Sequence, residues 1–147
     1  MSIVVEDLAL GGSGLSVMVK DTIDIAGYPT RASSSALADA PAAGKHAQVV
    51  QALLDAGCRI SGKTSLHELA FGTTGLNAWT GTAANPRYPG YIPGGSSSGS
   101  AAAVASGIGP FAIGSDGGGS MRIAGSVCGL YGFKASFGRV PLYPGGR

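Results

Sequence analysis

The sequence predicts an α/β fold in which a mixed β-sheet is layered with helices. Stretches with strand character alternate along the chain with stretches of helical periodicity, which is typical of such layered folds. Hydrophobic residues make up 44% of the 147 residues and charged residues only 12%, so a sizeable buried core is expected and disorder is disfavoured. A chain of this length suits a single domain over residues 1–147.

The first half of the chain supplies a strand and a helix with clear patterns. Residues 15–20 alternate apolar and other side chains, contain two β-branched valines, and predict a strand that ends at Lys20. Residues 46–56 place four apolar side chains on one helical face, and Gly57 occupies the position that commonly ends a helix. Two shorter elements are expected to follow, a strand over residues 59–61 and a helix over residues 64–70.

The second half begins with a segment that has no regular periodicity. We expect residues 72–95 to form a long loop that lies over other parts of the molecule, because they carry Trp79 and Tyr91 and almost no charge. Residues 100–106 are good helix formers and are followed by Gly107. Three further elements are expected, a strand over residues 111–114, a helix over residues 120–127 and a strand over residues 130–133.

Composition and patterning disfavour several classes of function. The net charge is only +2 and no cluster of basic residues occurs, so nothing points to nucleic acid. The apolar residues 101–113 are too few to span a membrane and include Pro110. The N-terminus lacks the basic and apolar regions of a signal peptide, which makes the cytoplasm the default location. Cys58 and Cys128 are too few for a disulfide scaffold, and no residues have metal-ligand spacing; both cysteines are expected to be small buried hydrophobes.

Two segments match known motifs letter by letter but in the wrong context. Residues 57–64 fit the P-loop pattern, yet a P-loop needs a strand before it and a long helix after it, whereas a predicted helix comes first here. Residues 95–99 fit the G-x-S-x-G nucleophile elbow with Ser97 at its centre, but no buried strand precedes them. A triad at this elbow would need a downstream histidine, and His46 and His67 both come earlier.

Two turns rich in glycine and serine remain, over residues 94–104 and 114–122. Each opens onto the predicted N-terminus of a helix, where backbone N–H groups suit an anionic oxygen. Tight packing turns between helices and strands are the alternative interpretation, and glycine turns alone favour it.

The two turns belong to a larger set of short segments. The set comprises Gly94-Gly-Ser-Ser-Ser-Gly-Ser-Ala-Ala-Ala-Val104, Gly114-Ser-Asp-Gly-Gly-Gly-Ser-Met-Arg122 and Cys128-Gly-Leu-Tyr-Gly-Phe-Lys134, with Val19-Lys20-Asp21, Gly62-Lys-Thr64, Glu68 and Asn85-Pro86 upstream. Together these segments resemble the amidase signature family, and the likeness runs from about residue 15 to residue 140. The resemblance implies the amidase signature fold, of which this chain is expected to be an incomplete part, because family members are much longer.

The resemblance also implies a Ser-cisSer-Lys triad. Ser120 would be the nucleophile, Ser96 the bridging serine on a cis peptide, and Lys20 the base. Further roles are implied for a candidate oxyanion hole made by the backbone N–H groups of Gly117, Gly118, Gly119 and Ser120, and for the supporting residues Ser97, Asp116 and Arg122. The sequence departs from the family pattern at two positions, with Ala124 in place of the usual proline and Gly117 where threonine or another side chain is common.

The chemistry explains why a lysine would be needed in such a site. An amide is a poor electrophile with a poor leaving group, so a serine nucleophile needs a base for attack and an acid to expel the amine. A lysine can do both only when it is neutral, whereas its free pKa is about 10.4. Burial disfavours the ammonium, and Lys20 ends an apolar strand. The ordinary alternative for Lys20 is a strand-end lysine in solvent.

The leading hypothesis is therefore a serine amidohydrolase that forms an acyl-enzyme on Ser120 through a Lys20 and Ser96 relay. Its partner would be a small-molecule amide, and no cofactor or metal is expected; a homodimer is compatible with the sequence. One alternative is the glutaminase-type amidase subunit of a tRNA-dependent amidotransferase, which would need companion subunits. Another is a catalytically inactive fragment that lacks the segments of the acyl pocket.

Overall fold

A computed structural model describes residues 3–141 of the chain. Within that range four strands form one mixed sheet in the order β1-β3-β2-β4. β3 runs antiparallel to β1 and parallel to β2, and β4 runs parallel to β2. The strands are β1 Val4–Gly11, β2 Ser16–Lys20, β3 Arg59–Thr64 and β4 Phe111–Ile113.

The central position of β2 brings the end of this strand to the functional region. Lys20 lies opposite Thr64 of β3, and Val19 lies opposite Ile113 of β4. Because β2, β3 and β4 are parallel, their carboxyl ends meet at one edge of the sheet, which is where ligands bind in many α/β proteins. The glycine-rich residues that follow β4 therefore begin beside Lys20.

Three helices and two short 3-10 turns complete the described part of the chain. The helices are α1 Gln48–Asp55, α2 Ser98–Ala105 and α3 Ser120–Val127, and the 3-10 turns are Ser35–Leu37 and Glu68–Ala70. The apolar face of α1 packs against the sheet, and Gly57 follows its end with a φ of +79°, as expected for a residue after a helix terminus. The buried cluster between them is made of Leu8, Val17, Val19, Ile25, Val50 and Ile60.

The other two helices meet through small side chains. Ala101 of α2 and Ala124 of α3 form a second buried cluster with Cys128. α2 also approaches the residues after β3 so closely that a Cβ added to Gly99 would lie 2.5 Å from the carbonyl oxygen of Ser65. Small residues therefore let α2 pass between the sheet and α3.

The loop over residues 72–95 is held by two asparagines. The Asn77 Nδ2 donates to the carbonyl oxygens of Ser33 and Leu66, at 2.8 Å and 3.0 Å. The Asn85 Nδ2 donates to those of Ile92 and Val127, both at 3.0 Å. Each amide oxygen in turn accepts two backbone N–H groups of its own turn. These bonds fasten the loop to other parts of the molecule, as expected. The aromatic side chains do not contribute as expected, because Trp79 and Tyr91 are 57% and 75% exposed.

Several predicted elements need correction. No strand was predicted over β1, because its residues do not alternate cleanly. The ladder from β1 to β3 is interrupted by two register shifts. The predicted helix over residues 64–70 is only a 3-10 turn, since Thr64 still belongs to β3 and Leu69 and Ala70 have left-handed backbones. Residues 130–133 form no strand; Gly132 packs against α3, where an added Cβ would lie 2.7 Å from the carbonyl oxygen of Met121.

Two further expectations concerned membrane-spanning segments and the cysteines. Within residues 3–141 no helix combines the length and apolar character required to cross a membrane. Both cysteines are free thiols: Cys128 is buried as expected, whereas Cys58 is half-buried against the main core cluster.

Candidate active site

Lys20 is the last residue of β2 and its side chain is completely buried. The Nζ lies 2.7 Å from the Oγ of Ser96 and 2.8 Å from the Oγ of Ser115. The strand-end lysine in solvent, which was the alternative for this residue, is therefore wrong. A buried amine held between two hydroxyl groups is well placed to exchange protons with them.

The two serines predicted to act with Lys20 are brought together at the same place. The Oγ of Ser96 lies 2.9 Å from the Oγ of Ser120, and the Gly95–Ser96 peptide bond is cis. Ser96 lies in the turn before α2, whereas Ser120 is the first residue of α3. Lys20, Ser96 and Ser120 thus form one continuous chain of hydrogen bonds that ends at a partly exposed hydroxyl group.

Ser115 was missed by the sequence reasoning. It directly precedes Asp116 in the glycine-rich turn after β4, and only the approach of β4 to β2 brings its hydroxyl group to Lys20. The signal available in the sequence was its place within the segment that carries Ser120. Because the Ser115 hydroxyl is a second acceptor for the Lys20 amine, it restricts the orientations in which the amine can contact Ser96.

Burial changes the chemistry of Lys20. Loss of solvation disfavours the ammonium and lowers the pKa of Lys20 from 10.5 to about 7, while the negative charge of Asp116 acts in the opposite direction. About half of the molecules would therefore carry a neutral amine at neutral pH. A general base needs a pKa near the operating pH, and this amine has one.

Asp116 organises the turn that precedes α3. Its carboxylate accepts hydrogen bonds from the backbone N–H groups of Gly119, Met121 and Arg122. The Arg122 guanidinium adds a two-point ion pair with two contacts of 2.9 Å. Hydrogen bonds from Arg122 are the largest cause that lowers the pKa of Asp116 to about 2. The carboxylate is ionised at any ordinary pH and holds the N-terminus of α3, where Ser120 lies.

The candidate oxyanion donors differ in availability. The Gly119 N–H is donated to Asp116 at 2.7 Å, which removes it from the candidate donors in this structure. Gly117 and Gly118 are exposed, and a Cβ added to either would meet no atom within 4 Å. The backbone N–H groups of these two glycines and of Ser120 remain as candidates for an oxyanion hole.

Ser120 faces an open cavity of about 320 Å³. The other walls are formed by Gly118 and by residues 70–73, which follow the left-handed backbone of Leu69 and Ala70. Gly72 packs flat against the imidazole of His67, whose backbone N–H donates to the carbonyl oxygen of Ser96 at 3.0 Å. The cavity therefore leaves the Ser120 side open to a small molecule, and one of its walls is attached to the turn that carries Ser96.

The structure also settles the two misleading motifs. Residues 59–64 of the P-loop pattern are β3, and Lys63 is buried against Asp21 rather than facing an open loop. Ser97 of the elbow pattern donates to the carbonyl oxygen of Ser115 at 3.2 Å. His46 accepts a hydrogen bond from the backbone N–H of Ala26, away from the serines.

The sequence is similar to that of known proteins along most of its length. The Amidase family matches residues 10–147 of the chain. An indoleacetamide hydrolase of Pseudomonas savastanoi is 46% identical over 130 residues, which cover 86% of this chain and 28% of that protein. A fatty acid amide hydrolase of Arabidopsis thaliana is 43% identical over 129 residues, covering 88% of this chain and 21% of that protein.

A solved structure extends the likeness to the fold. A glutamyl-tRNA(Gln) amidotransferase subunit from Thermotoga maritima superposes with a TM-score of 0.81 at 33% identity, over 92% of this chain and 32% of that one. The chain thus spans less than a third of the length of each of these three proteins. Since the family match covers nearly the whole sequence and the fold agrees with it, the chain belongs to the amidase signature family.

Proposed function

We propose that this chain carries the catalytic centre of a serine amidohydrolase that cleaves a small-molecule carboxylic amide. The observation that carries the proposal is the unbroken contact from the Lys20 amine through Ser96 to Ser120, at 2.7 Å and 2.9 Å. A pKa of about 7 for Lys20 supplies the neutral amine that this relay requires. Amide-cleaving activities in the names of two relatives support the same class of reaction.

In the acylation step the Ser120 Oγ forms a bond to the amide carbon. Its proton passes to the Oγ of Ser96, whose own proton passes to the lone pair of Lys20. The carbonyl electrons move onto the oxygen, which the backbone N–H groups of Gly117, Gly118 and Ser120 would stabilise. The Lys20 Nζ donates to both Ser96 and Ser115 in the structure. Once the amine is neutral, an N–H would still donate to Ser115 while the lone pair accepts the proton from Ser96.

Collapse of the tetrahedral intermediate completes the exchange. The carbon–nitrogen bond breaks, and the proton returns from Lys20 through Ser96 to the leaving amine, which departs neutral. Water then attacks the acyl-enzyme, giving its proton to the same relay, and the acid is released with Ser120 restored. Lys20 is the base in both attacks and the acid in both departures, a role that a pKa near neutrality allows.

Labelling of Ser120 tests the proposal. A fluorophosphonate should add once to the chain, as measured by intact mass, and peptide mapping should place the adduct on Ser120. Ser120→Ala should abolish the adduct and lower amide hydrolysis by several orders of magnitude. Ser126→Ala is the matched control, because Ser126 is an exposed serine on the same helix. Equal labelling of the Ser120→Ala variant would contradict the proposal.

A second candidate is the glutaminase-type component of an amidotransferase. The TM-score of 0.81 to the Thermotoga maritima amidotransferase structure favours it. Such a protein would release ammonia from glutamine only together with partner subunits. Hydrolysis of simple amides by the chain alone would speak against this candidate and for the first one.

Location and assembly are part of the proposal. We place the reaction in the cytoplasm, in keeping with the free thiols of Cys58 and Cys128. A homodimer remains a prediction, which light scattering of the purified chain would test.

A further inference from the structure

Lys63, the lysine of the P-loop pattern, has no part in the relay but is as deeply buried as Lys20. Its Nζ lies 2.7 Å from the Oδ1 of Asp21, with side-chain exposures of 1% for Lys63 and 5% for Asp21. The same Nζ donates to the carbonyl oxygen of Pro29 at 2.7 Å and to the Oγ1 of Thr30 at 3.1 Å. All three donor positions of the ammonium are therefore used.

This ion pair lies directly behind the proposed base. Lys63 is opposite Val19 in the sheet and Lys20 is opposite Thr64. Successive side chains of a strand point to opposite faces, so Lys63 and Lys20 reach out on opposite sides of the sheet. Asp21 follows Lys20 without an intervening residue and turns its carboxylate to the face of Lys63.

We propose that the Asp21–Lys63 ion pair is a positioning device that fixes the end of β2 and so aims Lys20 at Ser96. Asp21 is held on all sides: its Oδ1 by Lys63, its Oδ2 by the backbone N–H of Arg31, and its own N–H by the carbonyl oxygen of Thr64. The backbone immediately after Lys20 is therefore fastened to β3 and to the turn at residues 29–31. This inference rests on the proposed function.

The energetics favour a positioning role over a stabilising one. Removing two charges from water costs about as much as their attraction returns, so a buried ion pair adds little net stability. By contrast, a relay with contacts of 2.7 Å and 2.8 Å is sensitive to small shifts of its base, and a misplacement of about 1 Å can cost roughly 100-fold in rate. The pair therefore affects the reaction by fixing the position of Lys20.

The charged groups around Lys20 determine how the loss of the Asp21–Lys63 ion pair would change the pKa of Lys20. On the side of Ser96 the charge that acts on Lys20 is Asp116, which is paired with Arg122 of α3. α2 and β4 carry no charged residue. The remaining ionisable groups of the neighbouring elements are Arg59 and Lys63 of β3, Asp21, and His67 and Glu68 of the segment that contacts Ser96. Because Asp21 and Lys63 carry opposite charges 2.7 Å apart, their electrostatic effects on Lys20 oppose each other while the pair is intact.

The test measures the rate of fluorophosphonate addition to Ser120 as a function of pH, with thermal unfolding recorded for every variant. Lys63→Met should lower the rate on the order of 100-fold and move the midpoint of the pH profile upward, because the unpaired Asp21 carboxylate favours the Lys20 ammonium. Asp21→Asn should also lower the rate but move the midpoint downward, because the unpaired Lys63 ammonium disfavours it. The opposite shifts report the unpaired charges. The positioning role is reported by the loss of rate on the plateau of each profile, where Lys20 is neutral, because a merely structural pair would lower the unfolding temperature without that loss.

Three further variants complete the design. Lys45→Met removes an exposed lysine and should change neither rate nor midpoint. Val50→Ala weakens the core under α1 and should lower the unfolding temperature while leaving the rate unchanged. Thr30→Val removes one partner of Lys63 and should lower the rate several-fold. This variant tests the inference if Lys63→Met does not fold.

The outcomes separate the two proposals. A folded Lys63→Met or Thr30→Val variant with the rate and midpoint of the original chain would overturn the positioning role. An equal loss of rate in Val50→Ala would also overturn it, because the effect would then follow stability. Absence of an adduct on Ser120 in the unaltered chain would instead overturn the proposed function.

Discussion

Titration of Lys20 tests the chemistry of the site most directly. The perturbation is pH, and the measured quantity is the rate of fluorophosphonate addition to Ser120. A lysine with its ordinary pKa of 10.5 would be neutral in about one molecule in 3000 at pH 7, whereas a pKa of about 7 makes it neutral in about half. The difference corresponds to roughly 5 kcal/mol, at about 1.4 kcal/mol for each pH unit.

The expected result is a rate that rises with pH and levels off above a midpoint near 7, since only the neutral amine accepts a proton. Lys20→Arg should lower the rate by several orders of magnitude at every pH, because a guanidinium is not deprotonated in proteins. A midpoint near 10, or a profile that is flat across neutral pH, would refute the argument that burial prepares this base.

The same shift makes a prediction about stability. Between the folded pKa of about 7 and the ordinary value of 10.5, the unfolded chain holds a proton on Lys20 that the folded chain lacks. Because stability rises with pH where the unfolded state binds more protons, the free energy of unfolding should increase across this window. Chemical denaturation at several pH values measures it, and Lys20→Met should remove this part of the slope.

Three more predictions concern the surroundings of the relay. Ser115→Ala should slow labelling of Ser120 about tenfold, because Lys20 loses one of its two hydroxyl partners; an unchanged rate would show that Ser96 alone orients the amine. Asp116→Asn should move the midpoint of the labelling profile below that of the original chain, because the Asp116 charge raises the pKa of Lys20; an upward shift would contradict this. Gly99→Ala should destabilise the fold by about 1–3 kcal/mol in urea denaturation, because the new Cβ would lie 2.5 Å from the Ser65 carbonyl oxygen; unchanged stability would mean that α2 can move freely.

Local sequence patterns predicted some elements well and others poorly. The alternation before Lys20 and the helical periodicity before Gly57 correspond to β2 and α1 within two residues. β1 was missed, because its residues lack the clean alternation of apolar and polar side chains that marks a strand. Residues 130–133 look like a strand by composition but close against α3, and a tertiary contact of Gly132 decides that outcome.

The candidate site shows the same division. Lys20, Ser96 and Ser120 were identified through the resemblance to a family. The structure brings these side chains together, while their catalytic roles stay proposals. Ser115 was not found, because no local pattern says which hydroxyl of a glycine-rich turn will face a lysine 95 residues earlier. Lys63 could be recognised as part of a false P-loop, but its partner Asp21 could not be identified without the strand register.

The sequence by itself determined the α/β class, the glycine and serine turns and the family that the chain resembles. These features depend on periodicity and turn chemistry, which involve residues that are close together in the sequence. Only the tertiary structure decided that the Lys20 amine is buried, which groups it touches and that its pKa falls to about 7. The physical reason is that solvation and hydrogen bonding depend on groups 76 and 95 residues away, which meet only when β2, β4 and α3 assemble.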